Sequence, residues 1–410
     1  MDCFGLERGT VLLESVKGGR FSILVTRPFR VIKNWNALIK TFRELPKIFS
    51  TLPFAGGLLG LLNYELVHHF ESLPKKFKEV LPRVWFGLYK SGLIFDQKQK
   101  EVTAFGWTKS QLDKLVSEVQ QARSKSLRGI EKSTIIGSKI RSNFSKPQYI
   151  KAIQKVKRLV RGGYTFQANI SQRFAAKVGK TNPVEIYKKL SLTNPAPFAA
   201  YFNAGNFQVL SSSPELLFLK EKDRIETWPI AGTRPRGKNS REDLRLEKEL
   251  KSSAKENAEH MMLVDLERND LGRVCEFGSV KVEKLARVEK YARVQHLVSH
   301  VAGNLRKKAG LPDILRAVFP GGTITGCPKI ETMKIISEIE NSPRGPYTGG
   351  LGYVSINGNM QFNILIRTLL LHQETLSWQA GGGIVADSDP AAEYDETLHK
   401  AAALFEAVLK

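Results

Sequence analysis

The sequence predicts an α+β fold, on three observations. Runs with the period-two alternation of strands recur from Val11 to Gln379. Helical runs, with apolar residues three and four apart, interrupt them at irregular intervals, which argues against regular βαβ units. No segment repeats at a fixed period, so a solenoid or propeller has no support.

The elements follow in order. Val11-Leu12-Leu13 and Phe21–Val25 read as strands, with Lys17-Gly18-Gly19 as the turn between them. Phe54–Gly60 is dense in glycine but lacks the Lys-Ser/Thr ending of a phosphate loop, and close backbone packing in a sheet accounts for it better. Residues 1–120 are expected to form an amino-terminal α+β region that packs on the core. The polar, basic stretch Arg123–Asn143, with a loop at Ser133–Gly137, connects it to a main region of residues 145–405. Ser145 and Pro147 suit the cap and first turn of a helix that continues through Ile150, Ile153 and Val156 and ends at Gly162-Gly163. Alternation returns at Gln167–Ala175, Asn206–Ser213 and Glu221–Trp228. Leu246, Leu250, Ala254, Ala258 and Met262 predict one helix over Arg241–Leu263. Leu351–Ile356, Phe362–Leu371 and Leu376–Gln379 read as adjacent antiparallel strands, with turns such as Asn357-Gly358-Asn359. A last helix starts near Pro390 and carries Leu398, Ala401, Leu404, Phe405 and Val408.

Composition narrows the function. The chain has 410 residues, 42% hydrophobic and 25% charged, with a net charge of +23. Such a positive field concentrates small anions. The lysine and arginine clusters at Lys75-Lys76, Lys98 and Lys100, Lys177 and Lys180, and Arg306–Lys308 are not interleaved with aromatic residues as a nucleic-acid stacking surface would be, so no nucleic-acid partner is expected. Cys3, Cys275 and Cys327 have no close paired spacing, which favours a reducing compartment and gives no zinc motif. No signal peptide is visible at Met1–Thr10, and no run reaches the ~20 apolar residues that span a bilayer. The expected location is the cytoplasm, with no membrane partner.

Four polar or glycine-rich islands interrupt core-like segments. Pro229–Gly237 combines prolines, glycines and two arginines in a rigid cationic turn; read alone, a surface loop explains it as well. Ala258–Asp270 sets Glu259, His260, Asp265, Glu267 and Asp270 among Met, Leu and Val, and a buried carboxylate must be paired or bind a cation. Capping and ion pairs fit Asp265–Asp270 equally. Phe319–Lys329 places glycines and hydroxyls, Thr323 among them, before a helix at Ile330–Ile339, where they can surround an anion. The tail joins Arg367, Gly381-Gly382-Gly383, Asp387, Asp389, Glu393, Glu396 and Lys400. Arg367 can grip a carboxylate through its planar fork, the glycines permit close approach to backbone amides, and Glu396 and Lys400 share a helix face.

Taken together and in order, these islands resemble the chorismate-utilising enzymes, a family that includes anthranilate synthase component I, aminodeoxychorismate synthase component I and the isochorismate and salicylate synthases. The resemblance spans roughly residues 145–405, with a weaker echo at Leu12-Leu13-Glu14-Ser15 and Phe54–Gly60. It implies a large antiparallel β-sandwich wrapped by helices, with the active site between the sheets. It also implies that Glu259 and Glu396 hold Mg2+. Arg367, the Gly381–Gly383 backbone, Tyr353, Lys400 and Ala231 are then in the chorismate site. By the same resemblance, His296 stands by the leaving hydroxyl as a candidate acid, and Thr323 and Gln167 belong to the catalytic set. Water-adding members carry a lysine base at the position of Gln167. An amide cannot serve as a base, so the resemblance points to amination.

Within the aminating members the signs conflict. Tyr164–Phe174, Asn194–Ala200 and Gly322–Gly326 look more like aminodeoxychorismate synthase component I, which makes 4-amino-4-deoxychorismate for 4-aminobenzoate and folate. Ala231 looks like anthranilate synthase component I, since the former branch typically has a lysine there that attacks C2. The expectation is therefore amination at C4, with anthranilate formation, or a non-catalytic chorismate-binding subunit, as alternatives. None of the three cysteines lies in a Gly-x-Cys-x-Gly elbow, so ammonia is expected from a separate glutamine amidotransferase subunit.

Overall fold

A computed structural model describes residues 4–15, 19–125, 139–291 and 294–409. Cys3, Lys17-Gly18 of the expected turn and the Ser133–Gly137 loop lie outside these residues.

Two large sheets, antiparallel throughout, form the body. The first runs Gly326–Cys327, Gln167–Lys177, Thr375–Ile384, Thr368–His372, Phe207–Ser213, Phe198–Asn203, Val11–Glu14, Phe21–Val25, Ser91–Asp96, Glu101–Gly106, with Arg141–Ser142 beside Gln167–Lys177. The second runs Ile230–Pro235, Val294–Asn304, Arg224–Thr227, Leu216–Glu221, Met360–Ile364, Gly350–Ser355, Gly57–Leu62, Val84–Tyr89, Arg30–Ile32, with Lys281–Lys290 beside Val294–Asn304. Strands of the amino-terminal residues 1–120 therefore enter both sheets: Leu12 pairs with Tyr201 and Leu59 with Tyr353.

Period-two alternation assigns each strand two faces. On Gly57–Leu62, Leu59 and Leu61 meet Val11, Phe202 and Val209 of the first sheet in the layer between the sheets. Leu58 and Leu62 face the other way, onto Leu311, Leu315 and Val264 of the covering helices. Phe174, Leu210, Leu376 and Trp378 do the same for the first sheet, under Val184, Tyr187 and Leu190 of the helix Pro183–Thr193. Gly60 allows the close pairing, because a Cβ there would lie 2.1 Å from the Trp85 carbonyl.

Local chemistry explains most helix ends. Ser145 and Gln148 form a capping box on the helix Lys146–Arg161, as Ser145 and Pro147 predicted. The last helix is Pro390–Leu409. Two expectations need correction. The single helix over Arg241–Leu263 is two, Ser240–Ser252 and Ala254–Gly272. Ser253 leaves helical geometry (ψ 108°) and caps the second, its hydroxyl accepting from Glu256 N at 3.3 Å. Phe362–Leu371 is not one strand. Met360–Ile364 belongs to the second sheet and Thr368–His372 to the first, and the chain crosses between them at Leu365–Arg367, with Arg367 at φ 50°.

Candidate functional site

Two groups of side chains gather about the helix Ala254–Gly272, which packs on Ile230–Pro235 and Val294–Asn304 of one sheet and reaches Gln167 of the other through Glu259. The first is built on the glycine run. The strand Thr375–Ile384 pairs with Gln167–Lys177 as far as Ile384, but its ladder to Thr368–His372 stops at Trp378. From Gln379 onward one backbone edge therefore has no strand partner among the described residues. Side chains close on the glycines because no Cβ is in the way. A Cβ on Gly383 would sit 2.0 Å from Gln167 Nε2, and one on Gly382 would sit 3.1 Å from Glu393 Oε2, 3.8 Å from Glu396 Oε1 and 3.9 Å from Lys400 Nζ. Gln167 Nε2 donates to Glu259 Oε1 at 3.1 Å. Lys400 Nζ donates to the Gly381 carbonyl at 3.1 Å and pairs with Glu396 Oε1 at 2.7 Å. Gln167, Glu259, Gly381–Gly383, Glu396 and Lys400 thus come together.

Burial raises the Glu259 carboxyl above its usual range; the Gln167 hydrogen bond opposes this, Glu256 adds to it, and Lys255 and Lys400 oppose it. Burial likewise raises Glu393, with Ser388 opposing and Glu396 adding. Among the described residues no three His, Cys, Asp or Glu side chains converge tightly enough to hold a metal alone. Mg2+ does not need them, since it takes hard oxygens and keeps waters or substrate oxygens beside one or two carboxylates. The all-carboxylate donor set, two of its members held above their ordinary range by burial and by like charge, fits such an ion.

The second group centres on Arg367. It is partly buried, and desolvation lowers its pKa, with Glu215 and Tyr291 opposing. It has no ion-pair partner among the described residues, so it is available to an anionic ligand. His296 is 3% exposed. Its Nδ1 lies 3.2 Å from the Gly232 carbonyl and 2.9 Å from Thr233 Oγ1, while Nε2 is buried without a partner. A carbonyl only accepts, so Nδ1 carries the hydrogen and Nε2 presents a lone pair. Burial first, then Arg367, pushes the imidazole down to about 4. With that hydrogen on Nδ1 and the pKa held low, Nε2 is placed to accept a hydrogen bond at neutral pH. Ala231 lies beside it on Ile230–Pro235, paired with Leu297 and 7% exposed. Lys400 joins the two groups, its charge acting on both Glu259 and His296.

Sequence reasoning missed Glu215, which follows Ser211-Ser212-Ser213-Pro214 at the end of a strand. It is 4% exposed, and burial pushes its carboxyl up to about 8; Glu267 adds to the rise, and the Ile230 amide and Arg367 oppose it. The Thr323 hydroxyl also opposes it, yet the two do not reach good hydrogen-bond geometry, leaving Thr323 Oγ1 and Glu215 Oε1 buried without partners. Gln167 Oε1 is in the same state. Buried polar atoms are seldom left so, and together these mark a place for a polar ligand. The available signal was an acidic residue directly before the apolar run Leu216-Leu217-Phe218.

Tyr353 is placed elsewhere. Its ring packs on Phe54 at 5.4 Å, and it lines a separate cavity with Glu14, Pro197, Trp228 and Gln361, to which no other predicted site residue contributes. Strand alternation turns it into the layer between the sheets. Another cavity, bounded by Phe166, Met262, Arg273, Cys327 and Lys329, also contains none of them.

A partly buried arginine, orphaned polar atoms and a carboxylate cluster, carried by a helix-wrapped antiparallel sandwich, make up a candidate anion-binding enzyme site. Residues 17–406 match the family of chorismate binding enzymes. The chain belongs to that family, and its activity is that of a chorismate-utilising synthase. It is 37% identical over 425 residues to aminodeoxychorismate synthase component 1 of Bacillus subtilis, covering 96% of this chain and 90% of the relative. It is 36% identical over 445 residues to anthranilate synthase component 1 of Acetivibrio thermocellus, covering 97% and 89%. The crystal structure of anthranilate synthase component I from Streptococcus pneumoniae superposes with a TM-score of 0.84 at 32% identity, covering 95% of this chain and 92% of that one. No helix among the described residues is long and apolar enough to cross a membrane.

Proposed function

We propose that the chain aminates chorismate with ammonia, and that the observation carrying this is the Gln167 amide. Its Nε2 is held by Glu259 and its Oε1 faces inward without a partner. An amide oxygen accepts a hydrogen bond from ammonia but cannot deprotonate water, so the position suits amination. Glu259 and Glu396 would hold Mg2+, whose charge would offset a substrate carboxylate. Arg367 binds a second carboxylate, and the free edge beyond Gln379 offers amides to the same molecule. Glu215, a carboxylic acid at neutral pH, donates the proton with which the C4 hydroxyl leaves as water. His296 Nε2 accepts a hydrogen bond from that hydroxyl and orients it.

For the carbon attacked, the reading better supported is C2. A C2–N bond forms, the ring double bonds shift and the C4–O bond breaks; loss of the C2 proton with cleavage of the C3–O bond then leaves anthranilate, and the released enolpyruvate takes up a proton to become pyruvate. Ala231 supports it by supplying no nucleophilic amine, as does the likeness to the Streptococcus anthranilate synthase. This reverses the order expected from sequence. The second reading, amination at C4 to 4-amino-4-deoxychorismate, rests on Tyr164–Phe174, Asn194–Ala200 and Gly322–Gly326 and on the Bacillus relative. Ala231→Lys separates them. An anthranilate former should lose most turnover to a bulky cation beside C2, whereas retained or increased 4-amino-4-deoxychorismate would establish the second reading. Ammonia would come from a separate amidotransferase subunit, and the compartment proposed is the cytoplasm.

A further inference from the structure

At its Gln167 end, the strand Gln167–Lys177 pairs with Gly383 and Ile384 on one side and, on the other, with only Gly326 and Cys327 among the described residues. So short a ladder leaves the next backbone groups to find other partners. The Asn169 amide donates to the Thr325 carbonyl at 2.8 Å. One side chain takes the carbonyls beyond: Arg344 Nη2 donates to Asn169 O at 2.8 Å, and Nη1 to Ile324 O at 3.1 Å. Its other N–H groups go to Glu340 Oε2 at 3.0 Å, Glu340 Oε1 at 2.8 Å and Thr348 Oγ1 at 3.2 Å, so all five guanidinium donors are used. Glu340 Oε1 in turn accepts from the Ser171 amide at 2.9 Å. Arg344 and Glu340 are each 3% exposed.

A buried ion pair adds little net stability, because desolvation offsets its attraction. What this pair supplies is direction, since the planar fork fixes two carbonyls relative to each other. Asn169 is two residues from Gln167 and on the same face of its strand. Ile324 follows Thr323, whose buried hydroxyl has no partner. We propose that Arg344, held by Glu340, is a positioning residue for amination: it locks the Gln167 end of the strand to the Thr323 loop, so that the Gln167 amide stands where ammonia approaches. This rests on the reading of Gln167 as the group that accepts from ammonia.

The test is a double-mutant cycle on the intact chain, reading kcat/KM for ammonium at saturating chorismate and magnesium. Rates are referred to the chorismate-binding sites found by calorimetric titration, so that unfolded molecules do not count. Arg344→Lys keeps the charge but replaces the fork with a single ammonium, which cannot span both carbonyls and Glu340. It should lower kcat/KM about tenfold in the native background, the scale of one hydrogen bond lost, and less than about twofold in a Gln167→Met background, where the residue it acts through is already gone. A merely structural role would cost the same factor in both. Thr348→Val, which removes one partner of Nη1, should act in the same direction by a smaller factor, and serves should Arg344→Lys not fold. If Gln167→Met keeps the wild-type kcat/KM, the reading of Gln167 fails and takes this inference with it. If Gln167→Met loses it while the Arg344 and Thr348 variants keep it, or lose the same factor in both backgrounds, the inference alone is overturned. Failure of both variants to fold would make Arg344 a structural requirement and overturn it too.

Discussion

Replacing Gly383 with alanine should disable the site while sparing the fold. The backbone there is an ordinary strand that pairs with Asn169, so alanine meets no conformational strain. The added Cβ would sit 2.0 Å from Gln167 Nε2. Comfortable contact needs roughly 3.5 Å, so the amide must retreat by about 1.5 Å. The Gln167 Nε2 to Glu259 Oε1 hydrogen bond, 3.1 Å long, cannot survive that movement. A hydrogen bond to a charged group contributes about 1.5–3 kcal/mol. If that energy aligns the amide with ammonia, kcat/KM for ammonium should fall roughly 10- to 150-fold. The melting temperature should change little, because a side-chain amide moves and the backbone does not. Steady-state rates at saturating chorismate over an ammonium titration read the effect. A Gly383→Ala variant within twofold of wild type would refute the role given to Gln167.

Glu259→Gln and Glu396→Gln should each nearly abolish turnover with the fold intact, since a neutral amide is a poorer ligand and does not balance the cation; wild-type rates at low magnesium in either variant would remove that residue from the metal site. The purified chain should use ammonium but not glutamine, and gain glutamine-dependent activity only with an amidotransferase subunit. Ammonia release from glutamine by the chain alone, matching chorismate consumption, would contradict this.

Local features were legible in the sequence, and long-range placement was not. The capping box at Ser145, the turn at Asn357-Gly358-Asn359 and the final helix each carry their signal within a few residues. Ser253 breaks a helix whose apolar spacing runs on through it, because a serine that caps one helix leaves no mark on the periodicity of its neighbours. The crossing at Leu365–Arg367 was hidden for a similar reason: Phe362–Leu371 is apolar and strand-like throughout, and which sheet each half joins is decided by partners far away in the chain. Gln167, Glu259, Gly383 and Lys400 could be placed together only through the family's pattern of motifs, since they lie far apart in the chain. Tyr353 matched that pattern, but the alternation of its strand turned it into another cavity. His296 was found, yet its protonation depends on the Gly232 carbonyl, which no spacing reveals. Glu215 became visible only once burial could be seen.

The central claim, amination of chorismate, is tested most directly by incubating the purified chain with chorismate, magnesium and nitrogen-15 ammonium, without any lyase, and identifying the products by mass and fluorescence. The account predicts nitrogen-15 anthranilate, fluorescent, with one pyruvate for each chorismate consumed. Labelled 4-amino-4-deoxychorismate with the enolpyruvyl group retained would keep the amination and move the nitrogen to C4. Unlabelled isochorismate, or no turnover with chorismate bound, would contradict the claim itself.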